Sequence, residues 1–93
     1  MGQVEKTIRE KLTEAFSPQR LDIVDDSARH ASHAGARAGG ESHFNVVIVS
    51  AAFQGRSRVQ RQRDVYAALA EEMAGPIHAL SFKALSPEED APA

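Results

Sequence analysis

The run Phe44-Asn45-Val46-Val47-Ile48-Val49-Ser50 constrains what this chain can fold into more than any other segment. β-Branched residues occupy both parities of the strand repeat, as in the central strand of a sheet. The remaining sequence must therefore supply flanking strands and a helical cover. Ninety-three residues allow one such core and not two.

The flanking elements are legible in order. From Val4 to Phe16 the residues Val4, Ile8, Leu12, Ala15 and Phe16 fall on one helical stripe, with Glu5, Lys6, Arg9, Glu10 and Lys11 outside it. Ser17-Pro18 stops this helix, because the residue before proline avoids the α region. Leu21-Asp22-Ile23-Val24 then alternates like a half-buried strand. Residues 27–42, rich in Ala, Gly, Ser, His and Arg, lack an apolar period and read as a long loop. Beyond the central strand, Phe53-Gln54-Gly55 reads as a turn, with Phe53 a core or hinge anchor. Ser57 and Gln60 have the spacing of a capping box, and a helix is predicted from there to about Met73, with Val59, Val65, Tyr66, Leu69, Ala70 and Met73 as its apolar stripe. Gly75-Pro76 ends it. Ile77 to Leu85 reads as a third strand, His78, Leu80, Phe82 and Ala84 sharing a face, and Ser86-Pro87-Glu88-Glu89 reads as a last capped helix start.

The order α-β-β-α-β(-α) predicts an α+β domain. The first two strands pair antiparallel, the helical crossover favours parallel pairing of the second with the third, and the helices cover one face of this three-stranded mixed sheet. One domain is expected over residues 1–93, structured from about 4 to 89, with 90–93 frayed.

Eleven basic residues against thirteen acidic ones give no net field toward a polyanion, so any nucleic-acid contact must be local. The absence of cysteine excludes a disulfide framework, a thiolate zinc site and a redox CxxC within the chain. No signal-peptide pattern or long apolar span occurs, and a cytoplasmic protein without membrane attachment is expected. No nucleophile-elbow, Walker A or dinucleotide fingerprint is present, and the expectation is a protein that is not an enzyme.

What remains for chemistry is histidine and arginine. On residue pattern alone, His78 at the start of the third strand reads as a structural histidine bonded to a backbone carbonyl or as a ligand, and His30 and His33 as solvated loop residues or ligands. His43 reads as a residue stabilising the start of the central strand. A zinc site built from His30, His33, His43 and His78 has enough nitrogens but lacks the cysteines of the usual closed sites. Arg56, Arg58, Arg61 and Arg63 form the one dense basic run. They read as a solvated helix start, with Arg61 on the polar face and Arg63 snorkelling along Tyr66, or as phosphate contacts to DNA. No G-x-x-G spacing occurs, which argues against KH-style clamping of RNA.

The segment Gly40-Glu41-Ser42-His43-Phe44-Asn45-Val46-Val47-Ile48-Val49-Ser50, followed by Phe53-x-Gly55-x5-Arg61-Gln62-Arg63 and by Ile77-His78-Ala79-Leu80, closely resembles the BolA family, from about Val4 to Glu89. Gln62 departs from the Arg-His-Arg of many members and removes one candidate ligand. The resemblance implies a fold similar to class II KH domains and partnership with a monothiol, CGFS-type glutaredoxin. It implies further a bridging [2Fe-2S] cluster shared with the glutaredoxin and its glutathione, and roles in transcription and iron regulation. It makes His78 the first expected cluster ligand and His30 the second, with His33 as the alternative loop ligand. The isolated apo chain is expected to carry no cofactor and to be a monomer. DNA binding through Arg56, Arg58, Arg61 and Arg63 is the alternative, and a purely structural adaptor a third reading.

Overall fold

The computed structural model describes residues 2–25 and 43–90. The run that dominates the sequence forms β2 (His43–Val49), and it is indeed central: the strand order is β1-β2-β3, with β1 at Arg20–Asp25 and β3 at Ala79–Leu85. β1 runs antiparallel to β2, with Ile23 opposite Val46. β3 runs parallel to β2, with His43 opposite Ala79 and Phe82 opposite Val46. Parallel neighbours need a long crossover, which residues 50–78 provide.

The helical layer follows from the apolar stripes. Helix α1 (Gln3–Phe16) buries Ile8 and Leu12 completely, with Val4 and Phe16 packed beside them. Ala15 is exposed, so the stripe is one residue narrower than expected. Ser17 closes the helix in the left-handed region (φ 44°), its N–H donating to the Thr13 carbonyl, and Pro18 prevents continuation. After β2 the chain makes a 3-10 turn (Ala51–Phe53) that seats Phe53 fully in the core, its ring 4.9 Å from that of Phe16. Gly55 takes φ +77°, the turn conformation that glycine adopts without strain.

Helix α2 (Arg58–Ala68) starts on the expected box, the Gln60 N–H donating to Ser57 Oγ and the Ser57 N–H to Gln60 Oε1. The single helix predicted to Met73 is two helices. It breaks at Leu69 (φ −110°, ψ 22°) and resumes as α3 (Ala70–Ala74). Neither glycine nor proline stands there; the features of the break are tertiary. Leu69 is fully buried, and Glu72 in α3 is held by the Lys11 ammonium of α1 at 2.7 Å. Val59, predicted on the apolar stripe, is 55% exposed, and Val65 is the residue of α2 that is buried. Helix α4 (Pro87–Asp90) carries the second box, the Ser86 N–H donating to Glu89 Oε1.

One core results, built from Ile8, Leu12, Phe44, Val46, Ile48, Phe53, Val65, Leu69 and Ile77. It lies between the helices and one face of the sheet. Among the described residues no helix is long and apolar enough to cross a membrane.

Candidate functional site

Parallel strands start at the same edge of a sheet, and here each start carries a histidine. His43 is the first residue of β2, only 8% exposed. His78 immediately precedes β3 rather than lying within it, and its side chain is exposed. This corrects the expectation that His78 shares a strand face with Leu80 and Phe82. The strand begins at Ala79, two residues later than expected, and Ile77 turns into the core (3% exposed), its N–H donating to the Glu72 carbonyl at 3.0 Å. His78 thus stands between a buried anchor and the first ladder residue.

The register brings the two imidazoles together, with ring centroids 5.1 Å apart and planes at 54°. Reading the sequence assigns His43 to the start of the strand, sets it beside His78 only in the four-histidine zinc alternative, and misses this ring contact. The signal is present all the same: two strands read as parallel neighbours, each with a histidine at its beginning. His30 and His33 lie outside the described residues, as does the loop that carries them.

The arginine run behaves differently from the expected solvated helix start. Arg61 does not project into water. Its side chain is 13% exposed and reaches across to β3, with Nε donating to the Arg56 carbonyl (3.0 Å), Nη1 to the Ala84 carbonyl (2.9 Å), and Nη1 paired with Glu89. Arg56 is held by Asp64 in a two-nitrogen, two-oxygen pair. Both have structural employment, Arg56 against Asp64 of α2 and Arg61 against the Ala84 carbonyl of β3. Arg58 and Arg63 are exposed. Arg58 and Lys83 line a groove of about 680 Å³ between α2 and β3, floored by Tyr66, Leu80 and Phe82. The Tyr66 and Phe82 rings meet edge to face at 5.4 Å.

Donor chemistry decides what the histidine end of the sheet can hold. The chain has no cysteine, and among the described residues no three His, Cys, Asp or Glu side chains cluster for a metal ion. Iron–sulfur clusters rest mainly on thiolates, with imidazole as a substitute ligand on one iron. The chain can offer nitrogen to such a cluster and none of the sulfur ligands. That donor set fits a cluster shared with a thiolate-bearing partner.

Three comparisons bear on the family. The family described as BolA-like protein matches residues 12–89. BolA-like protein 1 of Homo sapiens is 47% identical over 89 residues, covering 96% of this chain and 62% of the relative, so the chain spans somewhat under two thirds of such relatives. The DNA-binding transcriptional regulator BolA of Escherichia coli (strain K12) is 44% identical, covering 85% of this chain and 71% of the relative. Among solved structures, the BolA domain of SufE1 from Arabidopsis thaliana superposes with a TM-score of 0.85 at 44% identity, covering 96% of this chain and 98% of that one. Motifs, topology and these matches agree: the chain belongs to the BolA family.

Proposed function

We propose that this protein is a non-enzymatic adaptor that contributes histidine nitrogen to a [2Fe-2S] cluster shared with a monothiol glutaredoxin, the partner and its glutathione supplying sulfur. The observation that carries this reading is His78 itself. Its main chain is fixed by Ile77 on one side and the β2–β3 ladder on the other, while its imidazole is exposed at the sheet end. A ligand offered to another molecule needs that combination of a rigid base and an open side chain. Histidine ligation raises a cluster's potential relative to thiolate and requires a neutral ring, which suits cluster handling or iron sensing.

The test is spectroscopic, because a glutaredoxin can hold a cluster as a homodimer and colour in a mixture decides nothing. In the heterocomplex, hyperfine coupling from iron-bound histidine nitrogen is the quantity to follow. His78→Ala abolishes it while the fold survives, since removal of an exposed side chain shifts stability by no more than about 0.5 kcal/mol. His30→Ala weakens or reshapes it, and His33→Ala does less. Undiminished coupling in His78→Ala overturns the assignment.

A second reading, binding of DNA, is favoured by the name of the Escherichia coli relative and by the basic groove edge at Arg58 and Lys83. With Arg56 and Arg61 occupied internally, Arg58 and Arg63 are the members of the run left to meet phosphate. On duplex DNA, replacing both with Ala then lowers the slope of log affinity against log salt by about 0.9 for each phosphate that is no longer neutralised. An unchanged slope removes this helix from the interface.

A further inference from the structure

We infer that His43 is the positioning residue for His78, the buried ring against which the exposed imidazole is held in one rotamer. The inference rests on the cluster reading and adds to it a residue that the cluster's ligand set, His78 with His30 or His33, leaves out. His43 sits on the most rigid element available: it opens the central strand, is 8% exposed, and is followed by Phe44 at 2%. His78 has a fixed main chain, so its remaining freedom is two side-chain torsions. The ring that meets its imidazole is that of His43, at 5.1 Å and 54°.

That contact is consequential because rotamer wells lie about 120° apart, and a change of χ1 carries an imidazole through several ångströms. A ligand is useful only when held within roughly 0.5 Å of its productive place. Core packing cannot hold an exposed ring, and the register of β2 with β3 sets His43 beside it. The role inferred from this ring contact is steric, so another flat ring of similar size should fill it. A residue acting as a ligand could not be so replaced. This separates positioning from ligation.

The experiment compares wild type, His43→Ala and His43→Phe, each first checked for its amide fingerprint so that an unfolded variant is recognised. In the apo chain, three-bond couplings and ring-proton shifts report the χ1 distribution of His78. The expected result is a single rotamer in wild type, averaging in His43→Ala, and a single rotamer again in His43→Phe. With a monothiol glutaredoxin carrying a reconstituted [2Fe-2S] cluster, His43→Ala should weaken the heterocomplex about tenfold, the low end of what loss of an orienting neighbour costs a metal ligand, and broaden the histidine-nitrogen coupling. His43→Phe should restore both. An averaged His78 in wild type, or an unaltered rotamer in His43→Ala, overturns the inference. So does a folded His43→Phe that behaves like His43→Ala in the loaded complex, which would show that the nitrogens of His43 matter and not the bulk of its ring. If the wild-type complex shows no nitrogen coupling, the cluster reading falls, and the apo measurement still decides whether His43 holds His78.

Discussion

Arg61 is the sharpest place to test whether the arginine run serves the fold or a polyanion. Arg61→Met keeps most of the aliphatic stem and removes the donors that join the start of α2 to β3. Hydrogen bonds from a charged group are worth about 1.5–3 kcal/mol each. Two of them go to main-chain carbonyls, of Arg56 and Ala84, at a site where the side chain is 13% exposed. Water can reach both carbonyls after the substitution, so the lower end applies to the pair, and the expected loss is about 2–3 kcal/mol. The contact with Glu89 adds little, because exposed ion pairs are largely screened. For a domain of this size the loss lowers Tm by roughly 10–20 °C. With an m-value near ~1.5 kcal/mol/M, the urea midpoint falls by roughly 1.3–2 M. Typical domain stability of about 5–15 kcal/mol leaves the variant folded, so the effect is measurable by urea titration followed by circular dichroism. Arg58→Met is the control and should stay within about 0.5 kcal/mol of wild type. Arg61→Lys should recover less than half of the loss, since an ammonium lacks the fork that reaches several carbonyls at once. If Arg61→Met and Arg58→Met have the same midpoint, Arg61 is no clamp.

Glu89 gives a pH dependence of defined sign: the Ser86 N–H and then the Arg61 guanidinium hold its carboxyl below the ordinary value of 4.5. Its stabilisation is therefore complete above pH 4.5 and lost as pH falls through the depressed folded value, and Glu89→Gln should flatten that part of the acid-unfolding profile. Lys11 has the opposite sign. Hydrogen bonding to Glu72 raises it above 10.5, so its contribution holds below that pH and disappears as pH rises through the higher folded value. Because Glu72 is buried, with Oε1 lacking a hydrogen-bond partner, Lys11→Met should destabilise the fold more than Lys11→Met combined with Glu72→Leu, a comparison for denaturant titration. Phe53→Ala empties a fully buried ring site against Phe16 and should cost about 3–5 kcal/mol by the same titration, whereas a loss below about 1 kcal/mol would show that the turn does not anchor the core.

Much of this architecture can be read from residues because local signals and tertiary demands coincide. Ser57 with Gln60 and Ser86 with Glu89 announce helix starts by side-chain chemistry that is complete within four residues. The alternation of Leu21 and Ile23 against exposed Asp22 and Val24 reports a strand with one open face. Where the reading fails, the deciding partner is distant in sequence. Leu69 interrupts its helix in a stretch of good helix formers, and Arg61 turns inward for a carbonyl twenty-three residues away. The same holds at the candidate site. His78 can be singled out by its motif, but its neighbour His43 depends on strand register, which periodicity of either strand alone does not specify.

The parallel pairing of β2 with β3 also governs when the histidine end of the sheet comes into being. It joins residues 43 and 79, and no hairpin can bring them together. Such non-local pairing is formed late, because the entropy of closing the intervening chain is lost before the new contacts return it. During synthesis the first two strands emerge well before the third, so a growing chain holds one imidazole of the pair and not yet the other. Whatever recognises the pair recognises finished molecules. By mass action it also holds them in that state, since a ligand that binds only the native form draws the folding equilibrium toward it.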